Sequence, residues 1–210
     1  VLILSATTIG IDTSLITTSI TADAQEEKSP TLSSNSVTQR TVTVYPSDFL
    51  TYFQRNGSAA NFNYDIQNFV QTLTPNMKDQ SGNVTLKTKV DMSQNFTLSG
   101  SINLGDKSSE SGGADGVGFL FHPGNTDVVG VKGGAAGIGG VKGAFGFKLD
   151  TYYNYDGDPY FYPDPREFSP GQAYGAFVDG TSGVAQTLEE SAQPISQPSN
   201  NQFKPFKMSY

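Results

Sequence analysis

The chain has 210 residues, with 13 Lys and Arg against 20 Asp and Glu for a formal net charge of −7, and it contains no Cys, no Trp and one His. Without Cys there are no disulfides, thiolate nucleophiles or cysteine zinc sites, and the lone His122 excludes the two-histidine HExxH metalloprotease pattern. An acidic chain without a Lys/Arg run also lacks the positive footprint that nucleic acid requires. The 23 Gly, 11 Pro, 14 Phe and 10 Tyr, with only 16% charged residues, point to short strands and many turns, and so to an all-β chain.

In chain order, residues 1–11 (VLILSATTIGI) are mostly apolar and uncharged and too short to cross a bilayer as a helix. Ala22-Asp23-Ala24 has the form of an A-x-A cleavage site, so residues 1–24 are expected to be the remnant of a secretory signal, with a buried strand as the alternative for the apolar run. Residues 25–42 are Ser/Thr/Asn-rich and cannot bury enough surface to offset ordering entropy, which predicts a flexible spacer. The folded part is expected from Thr43. A short N-terminal helix is predicted over residues 47–54, capped by Ser47, with Asp48 in its first turn, Phe49, Leu50 and Phe53 on one side, and Asn56-Gly57 ending it.

Beyond that point the pattern is strand after strand. Residues 84–92 alternate, with Leu86, Val90 and Met92 opposed to Lys87, Lys89 and Asp91. Residues 96–104 alternate cleanly, with Phe96, Leu98, Ile102 and Leu104 on one face. Residues 116–121 (GVGFLF), 145–149 (FGFKL) and 174–179 (YGAFVD) are more apolar, as central strands are. No long segment has helical periodicity, which predicts an antiparallel sandwich or jelly roll. Three N-x-S/T sequons, at Asn56, Asn83 and Asn95, read as ordinary turn asparagines.

Two stretches carry chemistry. In residues 112–122 (GGADGVGFLFH), Asp115 sits between glycines at the mouth of an apolar strand, where it is either an ordinary Asp-Gly turn or a carboxylate free to accept two hydrogen bonds from hydroxyls. In residues 147–158 (FKLDTYYNYDGD), Asp150, Asn154 and Asp158 are hard oxygen donors four residues apart. Their spacing fits either a polar turn or a calcium loop, since calcium takes about 6–8 oxygens at about 2.3–2.6 Å. The Gly-rich run between them, residues 130–146, matches neither nucleotide motif: Lys132 and Lys142 follow valine, and Lys142 occupies the place of the third fingerprint glycine. It reads as close-packed backbone able to approach a ligand.

These residues resemble a family, the L-type (legume-type) lectins, and among them the lectin domains of Gram-positive cell-surface adhesins. The matching pieces are Ala114-Asp115-Gly116 before an aromatic strand, the Gly133-Gly134 loop, and Phe145-Gly146-Phe147-Lys148-Leu149-Asp150-Thr151-Tyr152-Tyr153-Asn154 ending at Asp158, over a likeness running from about residue 42 to residue 210. The resemblance implies a concanavalin-like jelly-roll sandwich of two packed sheets. It implies calcium held by Asp150, the Tyr152 backbone carbonyl, Asn154 and Asp158. It also implies a sugar held by Asp115 after a cis Ala114–Asp115 bond, the Asn154 amide, a backbone N–H at Gly134, and the Tyr152 ring stacked on its apolar face.

Two departures from the family pattern are informative. Where legume lectins place a Glu and a His for a transition metal, this chain has Lys148 and the run Tyr162-Pro163-Asp164-Pro165. The transition-metal site is therefore expected to be absent and calcium retained, with the Lys148 ammonium within about 8 Å of Asp150 or Asp158 in place of the missing charge.

The function so implied is calcium-dependent carbohydrate binding by a secreted, cell-wall or cell-surface adhesin. Its partner is a glycan, with no nucleic acid and no membrane insertion of the lectin domain. A protein-binding or spacer module is the alternative. A glycoside hydrolase on the same sandwich is disfavoured, because the positions of its Glu-x-Asp-x-x-Glu carboxylates hold Lys148, Asp150 and Tyr153. Residues 43–210 are shorter than the family's domain, so they are expected to lack its last strands. The absence of Cys fits an exported domain stabilised by calcium and packing.

Overall fold

A computed structural model describes residues 2–7, 17–21, 41–196 and 198–210. Its strands are β1 (Leu2–Thr7), β2 (Thr17–Thr21), β3 (Thr41–Val44), β4 (Phe53–Gly57), β5 (Gly82–Leu86), β6 (Phe96–Ile102), β7 (Gly116–Phe121), β8 (Ala144–Asp150), β9 (Tyr174–Gly180), β10 (Gln186–Thr187), β11 (Gln193–Pro194) and β12 (Lys204–Ser209). An eight-stranded sheet runs β10-β9-β8-β7-β1-β5-β4, with β11 also paired to β9, and a four-stranded sheet runs β12-β6-β2-β3. The pairings within both sheets are antiparallel. This is the predicted all-β sandwich with a jelly-roll architecture and one short helix.

The strands form where side-chain alternation demands two faces. In β6, residues 96, 98, 100 and 102 are buried and those between them are half-buried, as the period of two requires. In β7 and β8, Val117, Phe119 and Phe121 pair with Leu149, Phe147 and Phe145 and face the other sheet. There all but the exposed Phe145 join a core that includes Phe49, Phe53, Val84, Leu86, Leu98 and Ile102. Between the sheets lies a groove of about 830 Å³, lined by Phe96, Phe121, Phe145, Phe177 and Phe206 among others.

Four local expectations differ from the structure. The helix predicted over residues 47–54 is a 3₁₀ turn at Pro46–Asp48 followed by one helical turn, α1 (Phe49–Tyr52), and Ser47 makes no capping bond. Phe53 and Gln54 belong instead to β4, because pairing with Leu86 and Thr85 satisfies backbone groups that one isolated helical turn could not. Likewise, only Val84, Thr85 and Leu86 of the run 84–92 lie in a strand; the chain turns from Lys87. Leu2–Thr7 and Thr17–Thr21, within the segment expected to be a signal remnant, are strands: β1 lies between β5 and β7, and β2 between β6 and β3. An uncharged run of apolar and β-branched residues meets the demands of a central strand equally well. The rest of residues 1–24 and residues 25–40 of the expected spacer lie outside the described residues. The last two spacer residues, Thr41 and Val42, are in β3, just before the expected start at Thr43. Of the sequon asparagines, Asn83 is fully buried and donates to the Val128 carbonyl, while Asn95 is exposed.

The outer face of β7–β9 carries a third layer that builds the site. Gly116, Gly118 and Leu120 share that face with Asp150, Lys148 and Gly146. The Gly-rich run folds over it through a small core of Leu120, Ile138, Val141, Ala144 and Val178. This close approach needs glycine: a Cβ on Gly118 would lie 2.5 Å from the Ala136 carbonyl oxygen. The residues after Asp150 cover the neighbouring part of the face through Tyr153, Phe168, Tyr174 and Ala176.

Two outcomes test this layering. Gly118→Ala lowers stability by about 1–3 kcal/mol in denaturant titration, because backbone rather than a flexible side chain must give way. His122, buried at the end of β7, accepts the Gly124 N–H at Nδ1, and burial, with the Lys89 charge nearby, lowers its imidazole from 6.5 to about 4. The unfolded chain takes up this proton first, so the histidine's stabilising contribution is full above pH 6.5 and is lost as the pH falls towards 4. Melting temperatures measured across that window fall less steeply in His122→Gln than in the wild type.

Candidate functional site

The candidate site lies where β7, β8 and β9 reach the same rim, with Asp150 opposite Gly116 on one side and Tyr174 on the other. Burial alternates along β8, so Lys148 and Asp150 share a face, as the sequence predicts. The Ala114–Asp115 peptide bond is cis, as expected. The Asp115 backbone is fixed by Thr151, whose N–H and hydroxyl both donate to the Asp115 carbonyl at 2.8 and 3.1 Å. This leaves the Asp115 carboxylate beside Asn154, whose Nδ2 donates to Asp115 Oδ1 at 3.4 Å. Burial raises the Asp115 carboxyl above its usual value, against the hydrogen bond from Asn154.

Three of the sequence-predicted residues thus meet: Asp115, Asn154 and Gly134. Gly134 belongs to the 3₁₀ turn Gly133–Ala135, and a Cβ there would stand 2.8 Å from both Cγ and Oδ1 of Asn154 and 2.6 Å from the Phe161 ring. Only glycine lets the loop come so close. The Tyr152 ring is 41% exposed at the rim, and its backbone N–H donates to Asp150 Oδ1 at 3.1 Å.

Beneath them lies a buried charge cluster. The Lys148 ammonium is 2.8 Å from Asp150 Oδ2, well inside the expected reach, and 2.8 Å from Asp164 Oδ1. It also stands 5.1 Å from the centre of the Tyr174 ring. The Tyr174 hydroxyl donates to Asp164 Oδ1 at 2.5 Å. Asp164 Oδ2 accepts the Asn154 N–H at 2.8 Å, and the Asp164 N–H donates back to the Asn154 carbonyl at 3.0 Å. Lys148, Asp150 and Asp164 are 3, 2 and 4% exposed.

One ammonium against two carboxylates leaves a buried negative charge. Burial, opposed by Lys148 and reinforced by Asp164, raises the Asp150 carboxyl above its ordinary range. For Lys148 burial disfavours the charge, but Asp150 and Asp164 outweigh it and raise the ammonium above its ordinary value. Burial, then the two carboxylates, push the Tyr174 phenol far up, so it remains a donor.

The sequence expected Asp158 as the second carboxylate of this loop. Asp158 is exposed, and its Oδ1 accepts the N–H groups of Tyr160 and Phe161 at 2.6 and 3.2 Å. The carboxylate brought to Asn154 and Lys148 is instead Asp164, which sequence reading noticed only as part of a run lacking histidine. The prolines on either side of it were its one local signal, since they stiffen the backbone that presents it. Among the described residues, no group of three or more His, Cys, Asp and Glu side chains is arranged to hold a metal. Asn154 Oδ1 is buried and has no hydrogen-bond partner.

The family model described as the legume lectin beta-barrel domain matches residues 44–210. A protein named serine-rich adhesin for platelets, from Staphylococcus aureus strain MRSA252, is 39% identical over 187 residues, covering 84% of this chain and 14% of the relative. Its namesake from strain MSSA476 is 40% identical over 185 residues, covering 83% of this chain and 8% of the relative. The chain thus corresponds to a small part of these relatives. Legume-type lectins generally bind metal, and a lectin domain in an adhesin is a binding module rather than an enzyme. The match over residues 44–210, which include β4 to β12 and the site loops, makes this chain a member of the legume lectin beta-barrel domain family.

Proposed function

We propose that this chain binds carbohydrate through a calcium-dependent site as part of a cell-surface adhesin. The observation that carries this reading is Asn154. Its amide nitrogen meets the Asp115 carboxylate, while its amide oxygen is buried without a partner. An unpaired buried oxygen is costly unless a cation or donor arrives, and the donors around it are hard oxygens beside an excess negative charge. Asp150, the Tyr152 carbonyl, Asn154 and Asp158 would hold the ion, with Asp158 moving from the N–H groups it now engages. Calcium would supply the positive charge that the cluster lacks and lock the Asn154 side chain.

The remaining chemistry belongs to the chain itself. The Asp115 carboxylate, on a backbone that Thr151 fixes through the Asp115 carbonyl, accepts hydrogen bonds from two sugar hydroxyls. The Asn154 Nδ2 group donates to the sugar while its oxygen faces the ion. The Gly134 N–H donates from the glycine loop, and the exposed Tyr152 ring covers the apolar face of the pyranose. Relatives named as adhesins for platelets support an extracellular, surface-attached role towards a glycan on a host cell. Among the described residues, no helix is long and apolar enough to cross a membrane.

A glycan array probed with the chain in calcium, in EGTA, and as Asp115→Ala tests the proposal. Binding is expected in calcium alone, and lost with chelator and with Asp115→Ala. Binding that survives both would favour a protein-binding or spacer module that uses another surface. Gly134→Ala, whose methyl would crowd Asn154, is expected to weaken sugar binding at least about tenfold in calorimetry, with the far-UV circular dichroism unchanged.

A further inference from the structure

Lys148 presents an unusual arrangement for a binding site: a fully buried ammonium shared between carboxylates from two elements. Asp150 ends β8, whereas Asp164 follows fourteen residues later in the loop that returns over the site. Neither carboxylate touches solvent appreciably, so their repulsion would drive this loop off the sheet unless a positive charge lay between them. The consequence reaches the Asn154 backbone through two hydrogen bonds: its N–H donates to the Asp164 carboxylate, and its carbonyl accepts the Asp164 N–H. A displacement of Asp164 therefore moves the backbone that aims the Asn154 amide at Asp115.

We propose that Lys148 is a positioning residue that acts as the built-in cation of the binding loop, tying Asp164 to Asp150 and so fixing Asn154 before any divalent ion is bound. The proposal rests on the reading of Asn154 as a calcium and sugar ligand, but its own content is the state of the ion-free loop. With the ammonium in place, the cluster carries one uncompensated negative charge and takes one divalent ion. The space between Asp150 and Asp164 is closed to a second ion, because Lys148 Nζ is within 2.8 Å of both carboxylates. The Tyr174 hydroxyl on Asp164 and its ring beside the ammonium seal this arrangement from water.

The experiment is amide hydrogen exchange read by mass spectrometry with fragmentation of the labelled peptides, on the full chain stripped of divalent ions with EGTA and moved to chelator-free buffer, followed by titration with Mn²⁺. In the wild type, the Asn154 and Asp164 amides are expected to be protected without any divalent ion. In Lys148→Gln their exchange rises by at least about tenfold, while the amides of β7 and β8 stay within about twofold of wild type. Calcium affinity in the same variant falls by about 10–100-fold. Lys148→Glu places a third carboxylate where the ammonium stood. It is expected to lose the same protection in the metal-free, chelator-free buffer and regain it with one equivalent of Mn²⁺, followed as loss of the free-ion EPR signal. A merely space-filling lysine would not produce a variant rescued by metal.

Wild-type protection persisting in Lys148→Gln would overturn the proposal, as would Lys148→Glu protection that fails to return with Mn²⁺. If Lys148→Gln does not fold, the Lys148→Glu comparison with and without Mn²⁺ decides alone. A wild-type chain that shows these amide results yet binds no glycan would contradict the sugar-binding reading and leave the role of Lys148 standing.

Discussion

Burying two carboxylates on one sheet face is the constraint around which the site is organised. Asp150 and Asp164 are both withdrawn from water, and each must find compensation inside the protein. Lys148 supplies part of it from within β8, and Tyr174 supplies a hydroxyl from β9. Because these partners sit on adjacent, paired strands, the register of β8 against β9 determines whether the charges meet. A slip of one residue would turn Lys148 and Asp150 towards the hydrophobic interior. The sheet and the charge cluster therefore specify one another, and the loop above inherits its position from both.

The absence of side chains matters as much as their presence. Gly118 lets one layer of backbone lie directly on another, and Gly134 lets the resulting loop reach Asn154. The small core of Leu120, Ile138, Val141 and Val178 holds that loop down. The proposed recognition surface is thus built from backbone presented by packed layers. This suits a site whose proposed donors include a main-chain N–H, since few side-chain rotamers remain to be ordered when a ligand arrives.

The strands flanking the site were legible in the sequence because their patterns are intrinsic to them. The alternation of Phe96, Leu98 and Ile102 and the apolar runs at 116–121, 145–149 and 174–179 all correspond to strands. Patterns that depend on partners were less so. Phe53 and Gln54 look helical beside Phe49 and Leu50, yet β5 recruits them into the sheet. Lys148 could be placed beside Asp150 from strand period alone. Asp164 could not, because it reaches Asn154 only through the return of a loop over β9, and no local spacing encodes that path. Leu2–Thr7 has the apolar character of an export signal and of a central strand alike, and composition does not separate the two.

The Asn154 amide turns its nitrogen to Asp115 and keeps its oxygen buried without a protein partner, the position proposed for calcium. The most direct measurement is a crystal structure of the chain grown with calcium, with anomalous data collected to locate the ion. The account predicts an ion about 2.3–2.6 Å from Asn154 Oδ1 and from the Asp150 carboxylate, with Lys148 still between Asp150 and Asp164. An Asn154 oxygen satisfied by a protein donor, with no ion beside it at saturating calcium, would contradict the account.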